Sequence, residues 1–297
     1  MRKGTFVKAL ATAGVAGLAL AGCAGGEGAT LENGDQSELT IAVFSGWEEG
    51  IAVSELWKHV LEEQGYSVSL EYADAAPVYT GLAGGDYDVT LDGWLPVTHG
   101  DYMEEYGDQL VNLGAWNEDS YLTFAVNEDA PITSLDELAD HADEFGNTIY
   151  GIDPGAGLTQ VTQEEVIPTY GLEGMEYSIS STPGMLTSLE DAINKGENVV
   201  VTLWRPHWAY DAYPIRDLED PEGALGGTET LNAISSTDFE ETHPTAAGWI
   251  SEFAMDSEML YELENLMFNE NEGTDDYGPI IEQWAAENQE YVDGLTD

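Results

Sequence analysis

The sequence predicts an α/β fold, with parallel or mixed sheets flanked by helices and enough chain for two lobes. Three observations carry this. Short β-rich runs alternate with helical stretches along the chain. About 260 residues follow a Gly-rich N-terminal stretch, which is room for two domains of ordinary size. Hydrophobic residues make up 42% of the chain and aromatics 10%, which supports a packed core.

The chain opens on Met1-Arg2-Lys3 and an apolar run from Ala9 to Gly22, which is too short for a typical membrane span and has the layout of a secretory signal over residues 1–22. Leu20-Ala21-Gly22-Cys23 resembles the bacterial lipobox, in which the cysteine becomes the lipidated first residue. Cys23 is the only cysteine, so it has no internal disulfide partner and is read as a membrane anchor; a signal peptide with a chance cysteine is the alternative. Residues 24–37, AGGEGATLENGDQS, are Gly-rich and polar and are read as a flexible tether.

The folded part then starts near Glu38. Strands are expected at ELTIAVF (38–44), SVSLEYA (67–73), DVTLDGW (88–94), SYLTFAV (120–126), NTIYGID (147–153) and NVVVTLW (198–204), from β-branched and aromatic content between turn residues. Helices are expected over 48–64, 77–83, 134–145 with Ser134 and Glu137 as a capping box, 158–170, and 185–195 closed by Gly196. After Thr237 the pattern is helical to the end, and no short internal repeat is present.

Seven Lys and Arg face 58 Asp and Glu, for a net charge of −51. Loss of the signal removes Arg2, Lys3 and Lys8 and no acid. Nucleic acid and anionic membrane surfaces are not expected as partners, because no basic patch exists to meet phosphate. The acids are spread along the chain rather than gathered in a tail, which points to a surface adapted to high salt. At about 1 M salt the Debye length is about 3 Å, so the ligand must be recognised by short-range contacts.

In open α/β sheets ligands bind beyond the carboxyl ends of the strands. Trp47 in FSGWEEG, Trp94 in LDGWLPVTH and Trp204 in VVVTLWRPHW all follow or end a strand and are flanked by Gly or Pro. Three indole faces around one cavity suit a quaternary ammonium, which has no N–H to donate and is attracted by the ring quadrupole, at about 0.5–2 kcal/mol per ring. Trp57, Trp116, Trp249 and Trp284 are read as core, while Trp208 is open: it lies one turn past Trp204 and could brace it. His99 is a candidate donor to an anionic group, with a surface histidine or helix cap as the alternative reading. GIDPGAG is a candidate loop offering backbone N–H groups to an anion at a helix start, and His207 is read as a structural partner in its turn. Metal binding is not expected from five unpaired histidines and one cysteine. G-x-S-x-G, P-loop and G-x-G-x-x-G patterns are all missing from the sequence, and acid pairs are too frequent to indicate catalysis.

Together VFSGWEEGIA, LDGWLPVTH, YGIDPGAG and VTLWRPHW resemble the glycine betaine-binding proteins of osmoprotectant ABC importers, over essentially the whole mature chain. The resemblance implies a two-lobed clamp of the periplasmic-binding-protein kind (type II) and no enzymatic activity or cofactor. It implies that Trp47, Trp94 and Trp204 box the trimethylammonium, and that His99 with the backbone N–H groups of Gly151 and Ile152 holds the carboxylate. The family occurs in circularly permuted orders, and here the two tryptophan motifs of the first lobe precede GIDPGAG. Three departures stand out. Glu48-Glu49-Gly50 follows the first Trp where Asp-Ser-Glu is frequent, Val97 replaces a frequent Asn, and Tyr79 a frequent Trp. One lobe is expected from 38–124 plus 240–297 and the other from 125–239. The expected protein is a monomeric, lipid-anchored receptor on the outer face of the cytoplasmic membrane, working with an ABC permease. A choline or carnitine receptor, a secreted halophilic hydrolase and an envelope protein with exposed aromatic anchors are the competing readings.

Overall fold

In the computed structural model, which describes residues 29–274 and 276–297, the α/β alternation is as predicted. The expected signal segment, Cys23 and the tether to residue 28 lie outside the described residues. Among the described residues nine strands form one mixed sheet: β1 (Glu38–Phe44), β2 (Ser67–Ala73), β3 (Val89–Leu95), β4 (Leu110–Asn127), β5 (Thr148–Gly151), β6 (Glu176–Ile179), β7 (Val200–Arg205), β8 (Ile215–Asp217) and β9 (Thr228–Ser236). Their order is β2-β1-β3-β9-β4-β7-β5-β6, with β8 beside β4.

The sheet is built as two halves of the same plan. β1 is parallel to β2 and β3 in one, and β5 is parallel to β6 and β7 in the other. Parallel strands need crossovers that cover both faces, so β1, β3 and β7 read as near-continuous buried runs rather than alternating ones. β4 joins the halves: Leu110 to Tyr121 pairs antiparallel with β9, and Tyr121 to Val126 with β7. Its register slips at three places between Asn112 and Ser120. Each bulge increases local twist, which lets one 18-residue strand serve both halves. β9 falls within 125–239 in sequence and pairs with β3 and β4.

The helices are α1 (Glu48–Glu63), α2 (Ala75–Gly84), α3 (Gly100–Tyr106), α4 (Leu135–Leu138), α5 (Gly157–Val161), α6 (Ile167–Tyr170), α7 (Thr182–Lys195), α8 (Ala209–Ala212), α9 (Phe239–Thr242), α10 (Pro244–Ser251), α11 (Ser257–Glu264), α12 (Gly278–Glu287) and α13 (Gln289–Gly294). α7 starts with Ser181 accepting from the Gly184 N–H and ends at Gly196 with φ +69°, a left-handed position suited to glycine. α11 and α12 pack against α1, so the C-terminal helices cover the first half. Asp35, at the end of the expected tether, is fully buried and accepts the N–H groups of Thr245 and Ala246 at the start of α10. No helix among the described residues is long and apolar enough to cross a membrane.

Two expectations need correction. The helix over 134–145 divides into α4 and a 3-10 turn, Ala142–Phe145, and its capping box does not form. The Ser134 hydroxyl donates to the Glu219 carbonyl, while Glu137 accepts from the Thr133 N–H and hydroxyl. The helix over 158–170 carries a π turn, Thr162–Val166, between α5 and α6. Pro168 has no N–H and cannot continue the regular ladder, which accounts for the bulge beside it.

Candidate ligand-binding site

The carboxyl ends of β1, β3, β5 and β7 converge between the two halves. Trp47 sits in extended conformation at the cap of α1, directly after β1. Trp94 lies near the end of β3 and Trp204 near the end of β7, each followed within two residues by a cis X-Pro bond, Leu95-Pro96 and Arg205-Pro206. Together with Ile152, just past β5, they line one small cavity whose walls also include Glu49, Thr98, Leu122, Ala156 and Leu158. The wall is almost entirely apolar, and its one ionisable side chain is Glu49.

Sequence reasoning missed Glu49. It was one acid among 58, and its only signal was a place two residues past Trp47 in the first turn of α1. Its Oε1 accepts from Trp94 Nε1 at 3.2 Å and its Oε2 from Trp204 Nε1 at 2.9 Å, so one carboxyl group ties the indoles of both halves together. Trp94 Nε1 also donates to Asp92 Oδ1 at 2.9 Å. Burial, followed by the neighbouring Glu48 charge, pushes Glu49 up to about 8 despite the N–H groups it accepts. Asp92 is raised well above the ordinary carboxylate range by burial and then by Glu49, and Glu264 by burial and then by Glu49 and Glu48. Gly50 makes room for this group, because a Cβ there would lie 2.3 Å from Asp92 Oδ2.

His99 is fully buried but does not line the cavity; it stacks behind Trp47, ring centroids 5.5 Å apart and planes 12° apart. Its Nδ1 accepts the Trp94 backbone N–H at 3.0 Å, which places the ring proton on Nε2, an atom with no partner within the protein. Burial lowers His99 to about 3, so the ring is neutral at any physiological pH. The turn that carries it is held by Glu229 on β9, which accepts the N–H groups of Val97 and Thr98, both at 2.8 Å. Gly151 is packed under the Tyr177 ring, where a Cβ would meet ring carbons at 2.4 Å, and lies outside the cavity wall. His207 accepts the Ala209 N–H at 3.1 Å and faces Glu48 Oε2 at 3.4 Å, and Trp208 donates its backbone N–H to Glu264. Trp57, Trp116 and Trp284 are buried and Trp249 is half-buried against the core.

The halves meet around the cavity. Trp204 reaches Glu49, Gln160 Nε2 donates to Asp101 Oδ2 at 3.1 Å, and the start of α5 packs on the 95–99 turn. At that contact a Cβ on Gly157 would lie 2.0 Å from the Thr98 carbonyl oxygen. The two halves of the sheet therefore meet around a cavity lined by Trp47, Trp94 and Trp204.

Residues 37–287 match the family described as the substrate binding domain of ABC-type glycine betaine transport systems, OpuAC. The chain belongs to the OpuAC family. It is 29% identical over 168 residues to the glycine betaine/carnitine transport binding protein GbuC of Listeria monocytogenes serotype 1/2a (strain 10403S). That alignment covers 56% of this chain and 54% of GbuC, so about half the length of that relative. Among solved structures, the lactococcal OpuAC in its closed-liganded conformation with glycine betaine superimposes with a TM-score of 0.81 at 25% identity, over 88% of this chain and 100% of the other. The glycine/betaine/L-proline-binding protein ProX of Borrelia burgdorferi gives the same TM-score at 30% identity, over 88% and 97%. The match is to a substrate binding domain of the glycine betaine transport class, and the fold is that of the periplasmic binding proteins.

Proposed function

We propose that this chain is a lipid-anchored extracytoplasmic receptor that takes glycine betaine, or a similar quaternary-ammonium zwitterion, between Trp47, Trp94 and Trp204 and delivers it to an ABC permease for osmoprotection. The observation that carries the reading is the cavity itself: three indoles from both halves of the sheet around a small apolar space. Its apolar bulk discriminates against hydrated sodium and potassium, and the ring faces attract a cation that donates no hydrogen bonds. The partnerless Nε2–H of neutral His99, with the backbone N–H groups of Gly151 and Ile152, is the proposed carboxylate clamp. Lobes of 38–124 plus 240–297 and of 125–239 would then each grip one part of the ligand, and only a solute carrying both charges would favour closure fully. Burial of all three rings at the seam favours this reading over an aromatic docking surface. Anchoring through Cys23 and a monomeric state complete the proposal.

The test is calorimetric titration of the mature protein in high salt. Saturable binding of glycine betaine is expected, with choline weaker because it lacks the carboxylate. No heat with glycine betaine would overturn the function, and choline binding of equal strength would remove His99 from the site.

A further inference from the structure

The four basic side chains among the described residues all point elsewhere. Lys58 pairs with Glu62, Lys195 with Asp191 and Arg205 with Asp217, and Arg216 donates to the carbonyls of Glu128, Ala130 and Ile132. Yet Glu48 and Glu49 on α1, Asp92 on β3 and Glu264 on α11 are all buried behind the chamber. Facing this group are His207, against Glu48 at 3.4 Å, the Tyr79 phenol beside Asp92, and the indole N–H groups of Trp94 and Trp204. Asp92 Oδ2 and Glu264 Oε1 are buried with no hydrogen-bond partner within the protein. Buried carboxylates without cations are held neutral or require a cation from outside. Only one of them, Glu49, reaches the cavity wall.

We propose that Glu49 is the counter-ion of the ligand's ammonium group and that it gives up a proton as the ligand enters, so that binding at this site is proton-linked. This rests on the reading of the chamber as a quaternary-ammonium site. In the empty chamber Glu49 is a neutral acid. When the cation arrives the carboxyl O–H bond breaks, its electron pair stays on Glu49, and the proton passes to the buffer. The carboxylate left behind keeps both indole N–H donors, so the charged form is hydrogen-bonded from each half. The raised position of Glu49 agrees with this, because the free chamber then still holds the proton at neutral pH. The sign of the linkage follows: the ligand favours the ionised acid, so affinity rises with pH until Glu49 is already ionised in the free protein, and levels off above that. A group at the carboxylate end of the ligand has the opposite sign, since an anion favours proton uptake by an imidazole.

The experiment is glycine betaine calorimetry on the mature protein in two buffers of different ionisation enthalpy, repeated across the range from about pH 6 to about pH 10 around the Glu49 transition. Release of up to about one proton per ligand is expected near neutral pH, with Kd falling by up to about tenfold per pH unit there, and no release at the alkaline end. Glu49→Gln is expected to abolish the release and flatten the profile, while Asp92→Asn, which leaves Glu49 in the wall, keeps it. Binding heat that is the same in both buffers, proton uptake in place of release, or unaltered release in Glu49→Gln would overturn the proposal and leave the betaine receptor standing. No binding at any pH would overturn both. The wild-type measurement decides the question even if a variant fails to fold.

Discussion

Trp204→Ala is expected to weaken glycine betaine binding by about 10- to 4,000-fold. One cation–π wall is lost, about 0.5–2 kcal/mol. The hydrogen bond from Trp204 Nε1 to Glu49 at 2.9 Å is lost as well, which leaves a buried carboxyl oxygen with one donor fewer, a further cost of about 1–3 kcal/mol. A combined loss of about 1.5–5 kcal/mol gives the stated range. Trp204→Phe separates the two parts, because it keeps an aromatic face and removes only the N–H, so its loss should be clearly smaller. Calorimetry gives the affinities, and thermal unfolding of each variant checks that the sheet is intact. Unchanged affinity in Trp204→Ala would remove the second half from the site.

The second large effect is expected from a single methyl group. In Gly157→Ala the new Cβ would lie 2.0 Å from the Thr98 carbonyl oxygen, inside any real contact distance, and that oxygen belongs to a turn fixed by Glu229. The halves must separate there or the turn must move. Overpacking of this kind costs about 1–3 kcal/mol, so betaine affinity should fall by about 5- to 150-fold with little change in thermal stability of the unliganded protein. Gly155→Ala on the same loop is the control, since nothing lies within 4 Å of its Cβ position. Small-angle scattering should show that ligand compacts the wild type and Gly155→Ala but not Gly157→Ala. Equal compaction in all three would mean that the seam yields at this point.

Much of this was legible in the residues, and the gaps have identifiable causes. The spans of β1 and β2 follow directly from their apolar and β-branched runs. The strand-end tryptophans stood out because each breaks a strand pattern beside Gly or Pro. β6 and β8 are only four and three residues long and gave no periodicity to read. β9 and the first part of β4 mix polar residues, and β4 carries bulges as well, so their pairing is specified by neighbours distant in sequence. The absence of a Ser134 cap has the same origin: Glu219, 85 positions away, takes the hydroxyl that a local reading assigns to the helix start. Glu49 was hidden by composition, because a buried acid differs from 57 others only through the surroundings that the fold gives it.

The central claim is that Trp47, Trp94 and Trp204 enclose a quaternary ammonium at the seam of two lobes. A crystal structure of the mature protein soaked with glycine betaine tests it most directly. The account predicts trimethylammonium density in contact with all three indole faces and beside Glu49, with the carboxylate directed to His99 Nε2 and the backbone of Gly151 and Ile152. Ligand density elsewhere, or a ligand-bound structure in which the three rings face separate surfaces, would contradict it.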